Sequence, residues 1–435
     1  MSEACAAKAY RPRDPRASDL YQLVERFYEQ VKGQWEERFE RRHGFWRGFV
    51  DDIVSRLSDC GLFEAGFARV FCDTCKSEFL VAFSCQSRCF CPSCAAKRAA
   101  IFGALLVDEI LEDVPHAMWT FTLPKMLRPY FLHHRELLGK LCQAAWQTVQ
   151  ELMAQAACEE AGFRPGMVTV VHTAGSFLAW HPHLHAIVSR GGWSREGTWV
   201  PVPFVDMRAA ELLFRHKILT MLRDEGLLSE ERIGLLLSWR RTGFSVDASV
   251  KVQTGDTKAV ERVARYIVRP PLSLERLRFN NATGEVTYNA RVGSSSTTKT
   301  EHFDPLDFLA RLIMHIPEPK QHTARFYGHY SSAARGKRRA EDAELPRSGP
   351  EPEAVEDLPS AEERRRMRRS WAQMIKRVYE ISPLVCPSCG AEMRIIAFII
   401  DTDVVDEILS HLDKRGAVPG RGPPLSLRSA ASQPF

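Results

Sequence analysis

Residues 178–190 read LAWHPHLHAIVSR, a run that sets histidines at 181, 183 and 185 among apolar neighbours. Period-two alternation belongs to a β-strand, where successive side chains point to opposite faces, whereas a helix would scatter the three imidazoles around its circumference. His181, His183 and His185 therefore share one face, and Leu184, Ala186 and Val188 take the other. Upstream, MVTVVH (167–172) is a second β-like run, and the Gly-Ser turn between the two predicts a hairpin or neighbouring antiparallel strands. If they pair, Val168, Val170 and His172 face the same way as the three histidines. Neutral imidazoles gathered like this suit a divalent cation with open positions, able to polarise a phosphoryl or carbonyl oxygen. Hydrogen-bonded histidines on a solvated sheet face would give the same pattern. The helical H-E-x-x-H of zinc hydrolases is absent from the sequence, so a nucleophile has to come from another segment.

TKAVERVARYIVRPP (257–271) offers one. Val260, Val263, Ala264 and Ile267 fall at i, i+3, i+4 and i+7 and predict an amphipathic helix, stopped by Pro270 and Pro271. Arg269, preceding a proline, is pushed out of helical geometry. Tyr266 lies off the apolar stripe beside Arg262, Arg265 and Arg269. Guanidinium forks grip phosphate oxygens and a phenol can form a covalent phosphodiester, although a tyrosine packed at the stripe's edge would occupy the same place.

The chain has 12 cysteines, six of them between residues 72 and 94. CDTC (Cys72, Cys75) and CPSC (Cys91, Cys94) are two C-x-x-C knuckles at the spacing of a four-thiolate structural zinc site, with Cys85 or Cys89 able to replace one ligand. Four thiolates leave no open position, so the expected role is to fold a segment too short for its own core, with nucleic-acid contacts from Lys97 and Arg98. A third knuckle, Cys386 and Cys389, would need two ligands from elsewhere; Cys5, Cys60, Cys142 and Cys158 read as ordinary thiols.

Of the 435 residues 45% are hydrophobic and 26% charged, an ordinary globular balance, and the net charge of +5 is too mild to name a partner without its local distribution. No stretch reaches the roughly 18 apolar residues that span a bilayer and the N-terminal residues carry no signal-like core, so a cytoplasmic chain without membrane contact is expected. Residues 1–98 read as a helical lead-in plus metal module, 99–340 as an alternating helix and strand core, 341–363 as an acidic, proline-rich disordered linker, 364–413 as a basic segment with the third knuckle, and 414–435 as a loose tail. The GGW at 191–193 is expected to interrupt the histidine strand. GSSSTTKT (293–300) has Thr298 where a phosphate loop needs its second glycine, so no nucleotide site is expected. The runs RGKRR (335–339) and RRRMRR (364–369) suit either a DNA backbone or a solvated face.

Taken together, HPHLHAIVSRGGW, VARYIVRPP and the preceding CPSC module resemble the HUH-type rolling-circle transposases of the insertion-sequence-91 family, including the common-region elements, from about Cys72 to Gly336, and RVYEISPLVCPSCGAEMRIIAFI resembles that family's C-terminal segment. The resemblance implies an α+β fold: an antiparallel-sheet HUH endonuclease core flanked by helices, with an N-terminal zinc-binding module. It maps the His-hydrophobic-His pair to His183 and His185 and the catalytic tyrosine to Tyr266, with magnesium or manganese at the histidines and His172 or His181 as third ligand. His172 is favoured because it comes from a different strand. It implies cleavage of single-stranded DNA at element ends through a 5′-phosphotyrosine, in a bacterial, nucleoid-associated protein that relies on a host helicase or the replication machinery and can act as an oligomer. Two-tyrosine members carry a second tyrosine four residues earlier, where this chain has Arg262, so one-tyrosine chemistry is implied. The competing readings are a non-catalytic zinc-module DNA-binding protein and a plasmid-type replication initiator.

Overall fold

The computed structural model describes residues 15–85, 87, 89–158, 162–240, 242–291, 298–344, 386 and 388–414. Cys5, most of GSSSTTKT, the acidic linker beyond 344, RRRMRR and the tail beyond 414 lie outside the described residues.

Among the described residues the strands form three antiparallel sheets. One three-stranded sheet holds β1 (Phe67–Cys72) and β2 (Glu78–Ala82), and the largest holds β3 (His116–Thr122), β4 (Arg164–Ala174), β5 (Trp180–Trp193), β6 (Trp199–Pro201) and β7 (Ser245–Val252). A third consists of β8 (Leu277–Asn280), β9 (Glu285–Arg291) and β10 (Thr298–Phe303); β11 (Ala324–Gly328) then joins the large sheet and β12 (Met393–Ile399) the sheet of β1 and β2. In the large sheet the order is β11-β4-β5-β3-β7, with β6 paired to the end of β5.

Both faces of the large sheet are covered at its central strands, so β4 and β5 are buried over most of their length, whereas the edge strand β7 is largely exposed. On one face Trp119, Phe121, Met167, Leu184, Ala186 and Val188 pack against helices Leu137–Ala156 and Met207–Asp224. On the other, Val168, Val170 and Ile187 pack against Ala264 and Ile267 of the helix Thr257–Ile267 and against Leu106, Ile110 and Tyr330. The GGW does not interrupt β5: the strand runs through Gly191 and Gly192 to Trp193. A Cβ at Gly191 would lie 2.7 Å from the Trp199 ring and one at Gly192 2.6 Å from the Phe163 ring. These glycines admit a close neighbour and do not make a turn.

The N-terminal helix Asp19–Gly33 shares a core with Phe308, Leu309 and Leu312 of helix Pro305–Ile313 and with Leu277 and Val286 of the third sheet. Ser18 caps its first turn through its side chain. RGKRR lies on a helix, Ser332–Glu344. No helix among the described residues is long and apolar enough to cross a membrane.

Candidate active site and metal centres

Strand pairing decides where the histidines meet. β4 and β5 are joined by a short connection, and their register places His172 directly opposite His183 and Val170 opposite His185. β3 on the other side puts Thr120 opposite His185. One ring nitrogen each of His172, His183 and His185 lies within 4.8 Å of the others.

The other nitrogen of each ring is held. His172 Nε2 donates to the Ile267 carbonyl at 2.6 Å, and His183 Nδ1 donates to the His181 carbonyl at 2.7 Å. His185 Nδ1 shares a 3.1 Å hydrogen bond with Thr120 Oγ1. With His185 Nδ1 donating to Thr120, this leaves His172 Nδ1, His183 Nε2 and His185 Nε2 as lone-pair donors; His185 Nε2, like His181 Nε2 beside it, is buried with no hydrogen-bond partner. Ligating imidazoles are fixed in the same way, with the far nitrogen tied to a carbonyl or polar side chain. Burial, with the Arg269 charge a lesser cause, holds all three rings well below the ordinary histidine range, in the neutral form a metal requires. The donor set fits a divalent cation. His181 stands beside the set, its ring 4.9 Å from that of His183, but contributes its carbonyl and not a convergent nitrogen.

Asp256 caps the helix that carries Tyr266 by accepting from the Ala259 amide. The predicted stripe holds: Ala264 and Ile267 are buried, while Tyr266, 37% exposed, looks out over the histidines. Its ring sits 5.2 Å from that of His185 at 70°. Because Ile267 is both a core residue and the acceptor for His172, the end of this helix is pinned to the histidine face at a sequence distance of 95 residues. Arg269 lies over the Tyr266 ring at 4.2 Å. Arg265 pairs with Glu261 at 2.7 Å and Arg262 is exposed. Two residues of this environment were not foreseen. Thr120 could have been found only by knowing that β3 pairs with β5, and Arg128, whose charge bears on His181 and His183, lies on a separate short helix.

The cysteines form two groups where the sequence spacing predicts one. Cys91 and Cys94 are joined by Cys60 and Cys85, while Cys72 and Cys75 lie in a separate group with Cys386 and Cys389. Cys89 belongs to neither, and Cys60, read as an ordinary thiol, is part of the first. The correction is topological: β1 and β2 carry the first knuckle away from the second, and Cys60 enters from the turn after helix Phe49–Ser58. In the first group Cys60 Sγ lies 3.9 Å from Cys91 Sγ and 3.8 Å from Cys94 Sγ, and Cys85 Sγ lies 3.5 Å from Cys94 Sγ. Zinc bound at ~2.3 Å by four tetrahedral thiolates sets them about 3.8 Å apart, so the set fits a structural zinc. The Cys85 amide also points at Cys60 Sγ at 3.4 Å.

From this centre a helix, Pro92–Leu105, runs to the tyrosine. Cys91 is its N-cap residue, Cys94 is in its first turn, and Lys97 and Arg98 follow. At its far end Gly103 lies against Arg265, where a Cβ would come within 3.3 Å of the Arg265 Cγ. The zinc-bearing helix thus supports the tyrosine helix directly.

Residues 166–338 match a family model described as "Putative transposase" and residues 31–123 one described as "Transposase zinc-binding domain". The chain is 27% identical over 381 residues to the "Transposase for insertion sequence element IS801" of Pseudomonas savastanoi pv. phaseolicola, covering 82% of this chain and 85% of the relative. It is also 27% identical over 315 residues to "Putative transposase y4qJ" of Sinorhizobium fredii, covering 67% and 77%. No solved structure matches at comparable significance. The first family match contains the three convergent histidines and Tyr266, and the second contains all of the first cysteine group but only Cys72 and Cys75 of the other.

Proposed function

Since the chain belongs to the insertion-sequence-91 family of transposases, we propose that it cleaves and rejoins single-stranded DNA at element ends with Tyr266 as nucleophile, beside a divalent cation held by His172, His183 and His185. The observation that carries this reading is the Tyr266 ring 5.2 Å from His185, at a face where three imidazoles each keep one free nitrogen.

Tyr266 Oη attacks the scissile phosphorus. A phosphorus–oxygen bond forms to the phenol as the bond to the 3′ oxygen breaks, and the proton lost by the phenol is balanced by the one gained on the departing 3′ hydroxyl. The 5′ side stays on the protein as a phosphotyrosine. Attack by a 3′ hydroxyl of another strand runs the same exchange in reverse and releases Tyr266. The cation, when bound, neutralises and polarises the phosphate. Magnesium or manganese is the cation of this reading, with water and phosphate oxygens completing the coordination that the three imidazoles begin. Arg269, held over the phenol ring, grips a non-bridging oxygen in a fork. Arg262 on the exposed face, Arg265, and Lys97 and Arg98 on the zinc helix track the flanking backbone. With Arg262 where a second tyrosine stands in two-tyrosine relatives, a second cleavage uses another protomer or a released Tyr266.

A labelled single-stranded oligonucleotide from the element's end tests this reading. Wild-type protein with manganese forms a covalent adduct whose peptide maps to Tyr266; Tyr266→Phe forms none, and His183→Ala with His185→Ala removes the metal dependence. An adduct that survives in Tyr266→Phe sinks the proposal, and salt-sensitive binding without cleavage by wild type favours a non-catalytic DNA-binding protein.

A further inference from the structure

The second cysteine group is built from the two ends of the chain. Cys72 Sγ lies 3.5 Å from Cys389 Sγ and Cys75 Sγ 3.4 Å from Cys386 Sγ, across 317 and 311 residues of sequence. We propose that Cys72, Cys75, Cys386 and Cys389 hold a second structural zinc, which clasps residues 386–414 onto the N-terminal module.

The two halves are local copies of one another. In each, the amide of the first cysteine donates to the carbonyl five residues on, Cys72 to Ser77 and Cys386 to Ala391, both at 2.8 Å. Each places a left-handed residue four positions after its first cysteine, Lys76 at φ 56° and Gly390 at φ 74°. Each then leads into a strand, β2 or β12, and both flank β1. Two knuckles of one geometry with their sulfurs turned toward a common point make a closed tetrahedral thiolate cage, the donor set zinc takes in structural sites. The spacing again fits the roughly 3.8 Å expected between thiolates on one zinc ion.

The surrounding core is too small to hold the segment alone. β12 pairs with β1 from Phe67 opposite Ile399 to Cys72 opposite Met393. One face of this sheet buries Ala68, Val70, Phe79, Val81, Met393 and Ile395 around two of the cysteines, and the other buries Phe67 and Leu80 under Val405 and Leu412 of helix Thr402–Lys414. Cores of this size usually need a metal to be stable. Cys389 is exposed and Cys75 half-buried, whereas Cys60, Cys91 and Cys94 of the first group are buried. The clasp is therefore the first of the two to yield to a chelator.

Metal analysis of the full-length protein tests the proposal. Wild type carries two zinc ions per chain, and Cys386→Ser with Cys389→Ser carries one, as does Cys72→Ser with Cys75→Ser. In either variant amide exchange across β1 and β12 rises at least tenfold while β3 to β5 are unchanged. Cobalt-substituted wild type shows the tetrahedral thiolate absorption of two sites, which halves in each variant. One zinc or one cobalt site in wild type, two zinc ions retained in either variant, or unaltered exchange after the metal is lost would overturn it.

Discussion

The large sheet and the sheet of β1, β2 and β12 solve the same problem by different means. Both bring together functional side chains that lie far apart in sequence. In the large sheet apolar burial does so: Ala264 and Ile267 press the tyrosine helix onto Val168, Val170 and Ile187, and the histidines follow from strand register. The sheet of β1, β2 and β12 buries few side chains, and its cysteines assemble where apolar surface cannot. A cation at the three histidines, as proposed, would keep coordination positions open for chemistry, while closed thiolate cages stabilise and do not react.

The sharpest break in this comparison is chemical. Tyr266→Phe removes the proposed nucleophile and no packing, so adduct formation is expected to fall by roughly 10^6, as for other enzyme nucleophiles, while the thermal midpoint stays put. Cys60→Ser opens the first thiolate cage and forfeits a large part of the roughly 10–16 kcal/mol that structural zinc supplies; zinc content and a thermal melt read this out. Trp119→Ala, buried in the large sheet, costs about 3–5 kcal/mol in denaturant unfolding followed at the large sheet, with zinc content unchanged. If chelation destabilises β3 to β5 as much as that substitution does, the division between the regions fails.

Acid tests the apolar side of the comparison. Burial lowers His116 to about 4 and His315 to about 3. Below an ordinary value of about 6.5 the unfolded chain takes up protons that the fold refuses. Stability is therefore full above about pH 6.5 and falls by roughly 1.4 kcal/mol per histidine for each pH unit below it, down to the folded values. A urea series from pH 7.5 to 5 measures the slope. The smallest effect is expected at Thr120→Val, which frees His185 Nδ1 and weakens manganese binding about 10- to 100-fold with stability little changed, measured by calorimetric titration.

Much of the candidate site was legible because its signals are local. Period two in HPHLH fixes a shared face, the i, i+3, i+4, i+7 stripe of 257–267 fixes which way Tyr266 looks, and the short connection between β4 and β5 brings His172 to His183. The choice between His172 and His181 needed a cross-strand register and the two carbonyls that fix the rings. The cysteines misled for the complementary reason. Knuckle spacing identifies thiolate pairs but is silent on which pairs share an ion, and Cys60 has no spacing signal at all. GGW misled because glycine in a turn and glycine under an aromatic ring look alike in sequence.

The sequence by itself determined the residue types and their local geometry: a strand with three imidazoles on one side, an amphipathic helix ending in a tyrosine and an arginine, and thiolate pairs poised for zinc. Only the tertiary structure decided the partnerships, joining Cys72 and Cys75 to Cys386 and Cys389, Thr120 to His185, and Ile267 to His172. Periodicity and turns are set by neighbours a few bonds away, whereas partnership depends on which surfaces bury one another across the whole chain.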